Sequence, residues 1–127
     1  MRIIVADDMP MQIREIAEGI RAVWPDWEIL TATDGQEILR MVSAQKVDIV
    51  LSDIRMPHMD GLEMLPIVRQ ISPETKVVFI TAYPLFEYAQ RALKLGATDF
   101  LLKPVDLTAL DGQVMTGNEI GILLTGM

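Results

Sequence analysis

The chain has 127 residues, which is the length of one ordinary domain. Half of the residues are apolar and 23% are charged, a composition typical of a globular protein with a real core. The net charge of −7 argues against binding nucleic acid or an anionic membrane through a basic face. The absence of cysteine excludes disulfides, thiolate metal sites and a cysteine nucleophile. There is no signal-peptide pattern and no apolar stretch of the roughly 18 residues that a membrane span needs, so we expect a cytoplasmic protein.

Short apolar segments alternate with longer segments of helical periodicity. The predicted strands are residues 2–6, 29–32, 47–52, 76–81 and 100–102. The first predicted helix follows the first strand and ends before Trp24 and Pro25, and the second and third follow Asp34 and Asp60. A fourth ends at Gly96. This alternation predicts right-handed βαβ units and a five-stranded α/β sandwich with a parallel sheet.

Two segments fit this pattern poorly. Pro66 lies inside the third predicted helix, where it should cost up to ~3 kcal/mol or bend the helix unless it falls in the first turn. Asp106 is a candidate N-cap for a fifth helix, but glycines interrupt the residues after it. We therefore expect the fifth helix to be short or irregular, and the segment from Gly117 onward not to form an amphipathic helix.

Chemically active side chains follow the strands. Asp7 and Asp8 come after the first strand, Asp53 after the third, Thr81 ends the fourth, and Lys103 follows the fifth. Ligands of open parallel sheets bind beyond the carboxyl ends of the strands. Carboxylates brought that close repel one another, and a hard divalent cation relieves the repulsion. Oxygen donors without cysteine or clustered histidine favour Mg²⁺ over zinc, and the set is typical of a phosphoryl-transfer site.

These residues resemble those of a known family, the receiver domain of two-component response regulators. The resemblance covers about residues 1–110 and rests on motifs in combination. They are Val5-Ala6-Asp7-Asp8, Asp53-Ile54-Arg55-Met56-Pro57 with Met59-Asp60-Gly61, Thr81-Ala82, and Lys103-Pro104. The resemblance implies a flavodoxin-like (CheY-like), doubly wound fold, with a five-stranded parallel sheet of order 2-1-3-4-5 and helices on both faces. We expect residues 1–115 to form this domain and residues 116–127 an atypical tail.

The resemblance also implies a role for each site residue. Asp53 would accept a phosphoryl group from the phosphohistidine of a sensor histidine kinase that docks on the face carrying the first helix. Asp8, Asp53 and the backbone carbonyl of Arg55 would hold Mg²⁺ directly, and Asp7 would act mainly through water. Lys103 would contact the phosphoryl group, with the Lys103–Pro104 peptide bond cis.

The switch and the output are implied by the same resemblance. Thr81 would swing toward the phosphoryl oxygen, and Phe100, which replaces the commoner tyrosine, would turn inward with it and report only through packing. The segment from residue 86 to 105 is similar to receivers that precede AraC-type DNA-binding domains, so the partner would be an output domain or a downstream protein. A homodimer on activation is a further expectation. The domain would catalyse its own phosphorylation and dephosphorylation without being a turnover enzyme.

Three alternatives stay open. A dehalogenase-like phosphatase would need a second acid two residues after its nucleophile, but Met9, Pro10 and Arg55 stand at that spacing. A flavodoxin-like FMN-binding protein would need a loop rich in Ser, Thr and Gly after the first strand, where this chain has acids. A pseudo-receiver would keep the fold and bind partners without phosphorylation. His58, the only histidine, is interpreted as a solvated loop residue.

Overall fold

Strands and helices alternate along the chain, as the sequence predicts. The computed structural model describes residues 1–81 and 99–102, and for Ile80, Thr81 and residues 99–102 it describes the backbone alone. The elements are β1 (Arg2–Ala6), α1 (Pro10–Val23), β2 (Glu28–Ala32), α2 (Gly35–Ala44), β3 (Ile49–Asp53), α3 (Gly61–Ile71), β4 (Lys76–Thr81) and β5 (Asp99–Leu102). The predicted fourth and fifth helices, and the tail, lie outside the described residues.

The strands form one sheet in which every pairing is parallel. Its order is β2-β1-β3-β4-β5, which confirms the predicted fold class and strand order. Because β1 lies between β2 and β3, the chain first winds outward to β2 and then crosses over β1 to build the other half of the sheet. The carboxyl ends of β1 and β3 are therefore neighbours, with Ala6 paired to Ser52.

The described apolar side chains of β1, β3 and β4 are buried on both faces of the sheet. Successive side chains of a strand point to opposite faces, so each strand contributes to two clusters. One face packs against α1, and the other packs against α2 and α3. The first cluster contains Ile3, Val5, Ile13, Ile16, Ile20, Ile49, Leu51 and Val78. The second includes Ile4, Ala6, Ile38, Val42, Val50, Leu65, Val68, Val77 and Phe79. This alternation explains why these strands are nearly continuous apolar runs in the sequence.

Each described helix begins at a local signal that the sequence carries. Pro10 is the first residue of α1, a position where its missing N–H costs nothing. Asp34 caps α2, its side chain accepting the Glu37 N–H at 2.9 Å. Asp60 caps α3 in a capping box with Glu63, which fixes where the chain turns from the β3–α3 loop into the helix.

The third helix continues through Pro66. This residue is the sixth of the eleven in α3, and it lies on the exposed side of the helix. Pro66 therefore lies beyond the first turn, and it has no N–H to donate to the carbonyl four residues before it. The buried side of α3, formed by Leu62, Leu65 and Val68, keeps the helix on the sheet despite that lost bond.

The predicted bounds of the third strand are wrong at both ends. The strand was expected to span residues 47–52, whereas β3 begins at Ile49 and includes Asp53. At the start, the carbonyl of Val47 accepts the hydroxyl of Thr75 at 2.7 Å, a side-chain bond outside the ladder. At the end, pairing with β4 continues to the Asp53–Ile80 pair. Asp53 is thus held by the sheet itself.

Candidate functional site

Three carboxylates meet at the carboxyl edge of the sheet. Asp7 and Asp8 follow β1 directly, and Asp53 ends the neighbouring β3. Each offers one carboxylate oxygen, and these three oxygens lie within 4.8 Å of one another. Asp7 is 1% exposed, Asp53 is half-buried and Asp8 is exposed. The cluster therefore extends from the core of the domain to its surface. The structure therefore brings together the three acids that the sequence predicts to form a metal site.

Backbone hydrogen bonds fix two of these acids. The N–H of Asp7 donates to the carbonyl of Ala32 at 3.1 Å, and its Oδ1 accepts the N–H of Met9 at 3.0 Å. Asp53 Oδ1 accepts the N–H of Ile54 at 2.7 Å. Backbone donors at these distances restrict the rotamer of each carboxylate.

The loop after β3 closes into a compact turn beside the acids. The N–H of Gly61 donates to the carbonyl of Ile54 at 2.7 Å, which joins the two ends of the loop. Within it, the N–H of Met59 donates to the carbonyl of Pro57 at 2.7 Å, forming a γ-turn centred on His58. His58 has a φ of 64°, the one positive φ outside glycine among the described residues. His58 is exposed, as expected, but its backbone conformation was not foreseen.

An open pocket adjoins the acid cluster. It has a volume of about 410 Å³ and is lined by Asp8, Arg55, Met56, Pro57 and Asp60. Arg55, whose backbone carbonyl the family resemblance implies as a metal ligand, is thus one of the residues that line this pocket. Asp60 lines the pocket as well as capping α3. The D-x-x-E spacing of Asp60 and Glu63 signals the helix cap in the sequence, whereas no local pattern signals that Asp60 lines the pocket.

The donor set suits a hard cation. All three clustered side chains are carboxylates, and they would repel one another strongly without a positive charge between them. Mg²⁺ prefers oxygen ligands and is commonly held by one or two carboxylates with water completing its shell. A cluster with one buried, one half-buried and one exposed acid fits that pattern, because the exposed side leaves room for water and a phosphoryl oxygen.

The remaining predicted site residues belong to β4, β5 and the residues that follow β5. The backbone of Thr81 ends β4 one residue beyond Ile80, the register partner of Asp53. Phe100 lies in β5 opposite Phe79. Lys103, with its predicted cis peptide bond, directly follows the last residue of β5 in the sequence and lies outside the described residues.

Comparison with known proteins identifies the family. The sequence model of the response regulator receiver domain matches residues 3–115. Sensor histidine kinase RcsC of Salmonella typhi is 40% identical over 110 residues, which are 87% of this chain and 11% of that protein. Transcriptional regulatory protein GlrR of Escherichia coli strain K12 is 34% identical over 108 residues, 85% of this chain and 24% of that protein. The chain belongs to the response regulator receiver domain family.

A solved structure supports the same assignment. The chemotaxis response regulator CheY4 of Vibrio cholerae superposes with a TM-score of 0.74 at 27% identity, covering 83% of this chain and 88% of that one. The match therefore covers most of the CheY4 chain but only about a tenth of RcsC and a quarter of GlrR. Among the residues described, no helix combines the length and apolarity that a membrane crossing requires.

Proposed function

We propose that this chain is a Mg²⁺-dependent phosphoacceptor switch in which Asp53 receives a phosphoryl group from the phosphohistidine of a sensor histidine kinase. The observation that carries the proposal is the meeting of Asp7, Asp8 and Asp53, with oxygens within 4.8 Å, at the ends of two adjacent strands. Membership of the receiver family supports the same chemistry. The phosphatase and FMN-binding alternatives belong to other families and receive no such support.

In the proposed reaction, the phosphoryl group would pass from the donor histidine directly to Asp53. A carboxylate oxygen of Asp53 attacks phosphorus in line, an O–P bond forms, and the N–P bond to the donor histidine breaks. The electron pair of that bond stays on the imidazole nitrogen, which then takes a proton from solvent. The N–H of Ile54, 2.7 Å from Asp53 Oδ1, would hold the carboxylate in one orientation during the attack.

The metal ligands and the charged partners complete the site. Asp8, Asp53 and the backbone carbonyl of Arg55 would hold Mg²⁺, with Asp7 acting through water. The ion would reduce the repulsion between the carboxylates and the incoming phosphoryl oxygens. Lys103 would pair with the phosphoryl group, and the hydroxyl of Thr81 would donate to one of its oxygens.

The kinase would dock on the face that carries α1. Met9 and Met11, at the start of this helix, are large apolar side chains with 55% and 72% of their surface exposed. They follow Asp8 closely in the chain, so a donor held on them would stand beside the acid cluster. Exposed apolar side chains grouped next to a reactive site are typical of a surface that a protein partner covers.

Phosphorylation would change the partner-binding face through Thr81 and Phe100. Thr81 ends β4 and Phe100 lies in β5. They would therefore link the phosphoryl group to the edge of the sheet that β5 forms. Residues 1–115 would form the switch, acting in the cytoplasm on an output domain or a downstream protein and dimerising on activation. It would not turn over a substrate beyond its own phosphorylation and dephosphorylation.

Direct labelling tests the proposal. Acetyl phosphate with Mg²⁺ should add one phosphoryl group, detected by intact mass, and chelation of Mg²⁺ should prevent the addition. Asp53→Asn should abolish labelling while the fold is kept, and Lys103→Ala should slow it. Asp26→Asn is the matched control, because Asp26 is an exposed acid that lines a different pocket, with Glu28 and Asp48.

Two results would contradict the proposal. Labelling that persists in Asp53→Asn would show that Asp53 is not the acceptor. A folded wild-type protein that binds neither Mg²⁺ nor beryllofluoride, a mimic of the acyl phosphate, would be a pseudo-receiver that acts through protein contacts alone.

A further inference from the structure

The β2–α2 segment, residues 32–37, comprises the end of β2, the two connecting residues and the start of α2. It is hydrogen-bonded from two sides to the chain that carries or adjoins the acid cluster. On one side, the N–H of Asp7 donates to the carbonyl of Ala32 at 3.1 Å. On the other, the N–H of Gly35 donates to the carbonyl of Met59 at 2.8 Å, at the tip of the loop that follows Asp53. Asp7, which follows β1, and the loop that follows β3 are therefore each connected to this segment by a backbone hydrogen bond.

The contact between Gly35 and Met59 leaves no space for adjustment. A Cβ atom on Gly35 would lie 2.8 Å from the Met59 carbonyl oxygen, 2.9 Å from Met59 Cγ and 3.1 Å from Met64 Cβ. Real Cβ atoms do not approach a backbone oxygen that closely, so the α2 terminus and the loop can meet only at a glycine. The Gly35 N–H is one of the unpaired donors at the start of α2, and the loop carbonyl serves as its acceptor.

The loop itself can transmit a displacement. Its two ends are joined by the bond from Gly61 to Ile54, and its tip is closed by the γ-turn at His58. Because these bonds close the loop between Asp53 and α3, we expect a shift at Asp53 or Arg55 to move the Met59 carbonyl as well. The first turn of α2 is itself stiffened by the side-chain bonds that link Glu37 to Asp34 and Thr33.

We infer that the β2–α2 segment is a second readout of the occupied site, in which filling the acid cluster repositions the first turn of α2 through Gly35 and Met59. This inference rests on the proposed function, because it requires that the cluster be filled by a metal ion and a phosphoryl group. Thr33 and Gln36 are exposed and Glu37 is half-exposed, so the movement alters a surface distinct from the face reached through Thr81 and Phe100. Since coupling between sites is reciprocal, a change in the first turn of α2 alters the affinity for Mg²⁺.

Amide NMR of the full chain tests the coupling. We expect the Gly35 and Glu37 amides to shift on addition of Mg²⁺ and beryllofluoride, and the Gly35 amide to exchange with solvent more slowly in the loaded state. The amides of Ser72 and Thr75, which precede β4 at the other end of the sheet, are the internal reference. The stacked pair of Trp24 and Trp27 is a poor reporter, because it follows the end of α1 that is remote from Asp7 and Asp8.

A pair of variants tests the reciprocal effect. Gly35→Ala should weaken Mg²⁺ binding by about fivefold or more, the lower end of typical coupling energies. Gln36→Ala, an exposed change in the same turn of the same helix, should bind Mg²⁺ like the wild type. If Gly35→Ala does not fold, the inference is tested by the amide shifts of Gly35 and Glu37 and by the exchange rate of the Gly35 amide in the wild type.

The outcomes separate this inference from the proposed function. Shifts at Asp8 and Asp53 that leave Gly35 and Glu37 unchanged would overturn the second readout and leave the phosphoacceptor function intact. No shift anywhere on addition of Mg²⁺ and beryllofluoride would overturn both. Equal Mg²⁺ affinity in folded Gly35→Ala and Gln36→Ala would also overturn the coupling.

Discussion

Gly61 is the first residue of α3 and stands where no larger residue fits, so Gly61→Ala is expected to destabilise the protein. A Cβ atom here would lie 2.5 Å from Phe79 Cε1 and 3.0 Å from the carbonyl oxygen of Asp53. Phe79 is completely buried, so its ring cannot turn aside into solvent. Either the ring or the start of the helix must move, and the second movement would disturb Asp53.

The magnitude is the balance of two opposing effects. Overfilling a packed core costs about 1–3 kcal/mol. Replacing glycine by alanine inside a helix stabilises it by about 0.5–1 kcal/mol, and the gain is smaller at the first residue than in the interior. We therefore expect a net loss of about 1–2 kcal/mol in the free energy of unfolding. Urea unfolding followed by circular dichroism should show a lower midpoint with an unchanged slope.

A double-mutant cycle tests the assigned cause. Phe79→Leu removes the atom that the new methyl group would contact, so the two changes together should cost less than the sum of their separate costs. Gln70→Ala, at an exposed position of the same helix, should change stability by no more than about 0.5 kcal/mol. Additive costs for Gly61→Ala and Phe79→Leu, or a stable Gly61→Ala, would refute the packing argument.

Four further changes probe the same region. Pro66→Ala should raise the free energy of unfolding by about 1–3 kcal/mol in urea titrations, because it restores the helix N–H; an unchanged midpoint would mean that α3 has adapted to the proline. His58→Gly should relieve the positive φ and stabilise by up to about 1 kcal/mol, whereas His58→Ala should not. Arg69 has Nε and Nη2 buried without a hydrogen-bond partner among the described residues, and burial lowers its pKa. Arg69→Met should therefore stabilise by about 1 kcal/mol, and a loss in thermal unfolding would reveal a partner for the guanidinium. Mg²⁺ at a hundred times its Kd should stabilise the wild type by about 2.7 kcal/mol, and Asp8→Asn should remove most of this gain in melting experiments.

The order of the elements and the acids at the ends of β1 and β3 could be predicted from the sequence. These are local properties, because apolar runs, caps at Asp34 and Asp60, and acids after strands are set by neighbours in the chain. The family resemblance added the strand order 2-1-3-4-5, which the structure confirms for all five strands.

Contacts between segments distant in sequence emerged only in the folded chain. The pairing of Asp53 with Ile80, the approach of Gly35 to the Met59 carbonyl and the fit of Gly61 against Phe79 each join residues whose separation no local pattern encodes. The positive φ of His58 belongs to the same group, because the hydrogen bond between Gly35 and Met59 and the closure of the loop by Gly61 hold a conformation that histidine alone would avoid. Local sequence patterns therefore indicate which residues form the site, and packing between distant segments determines where their atoms lie.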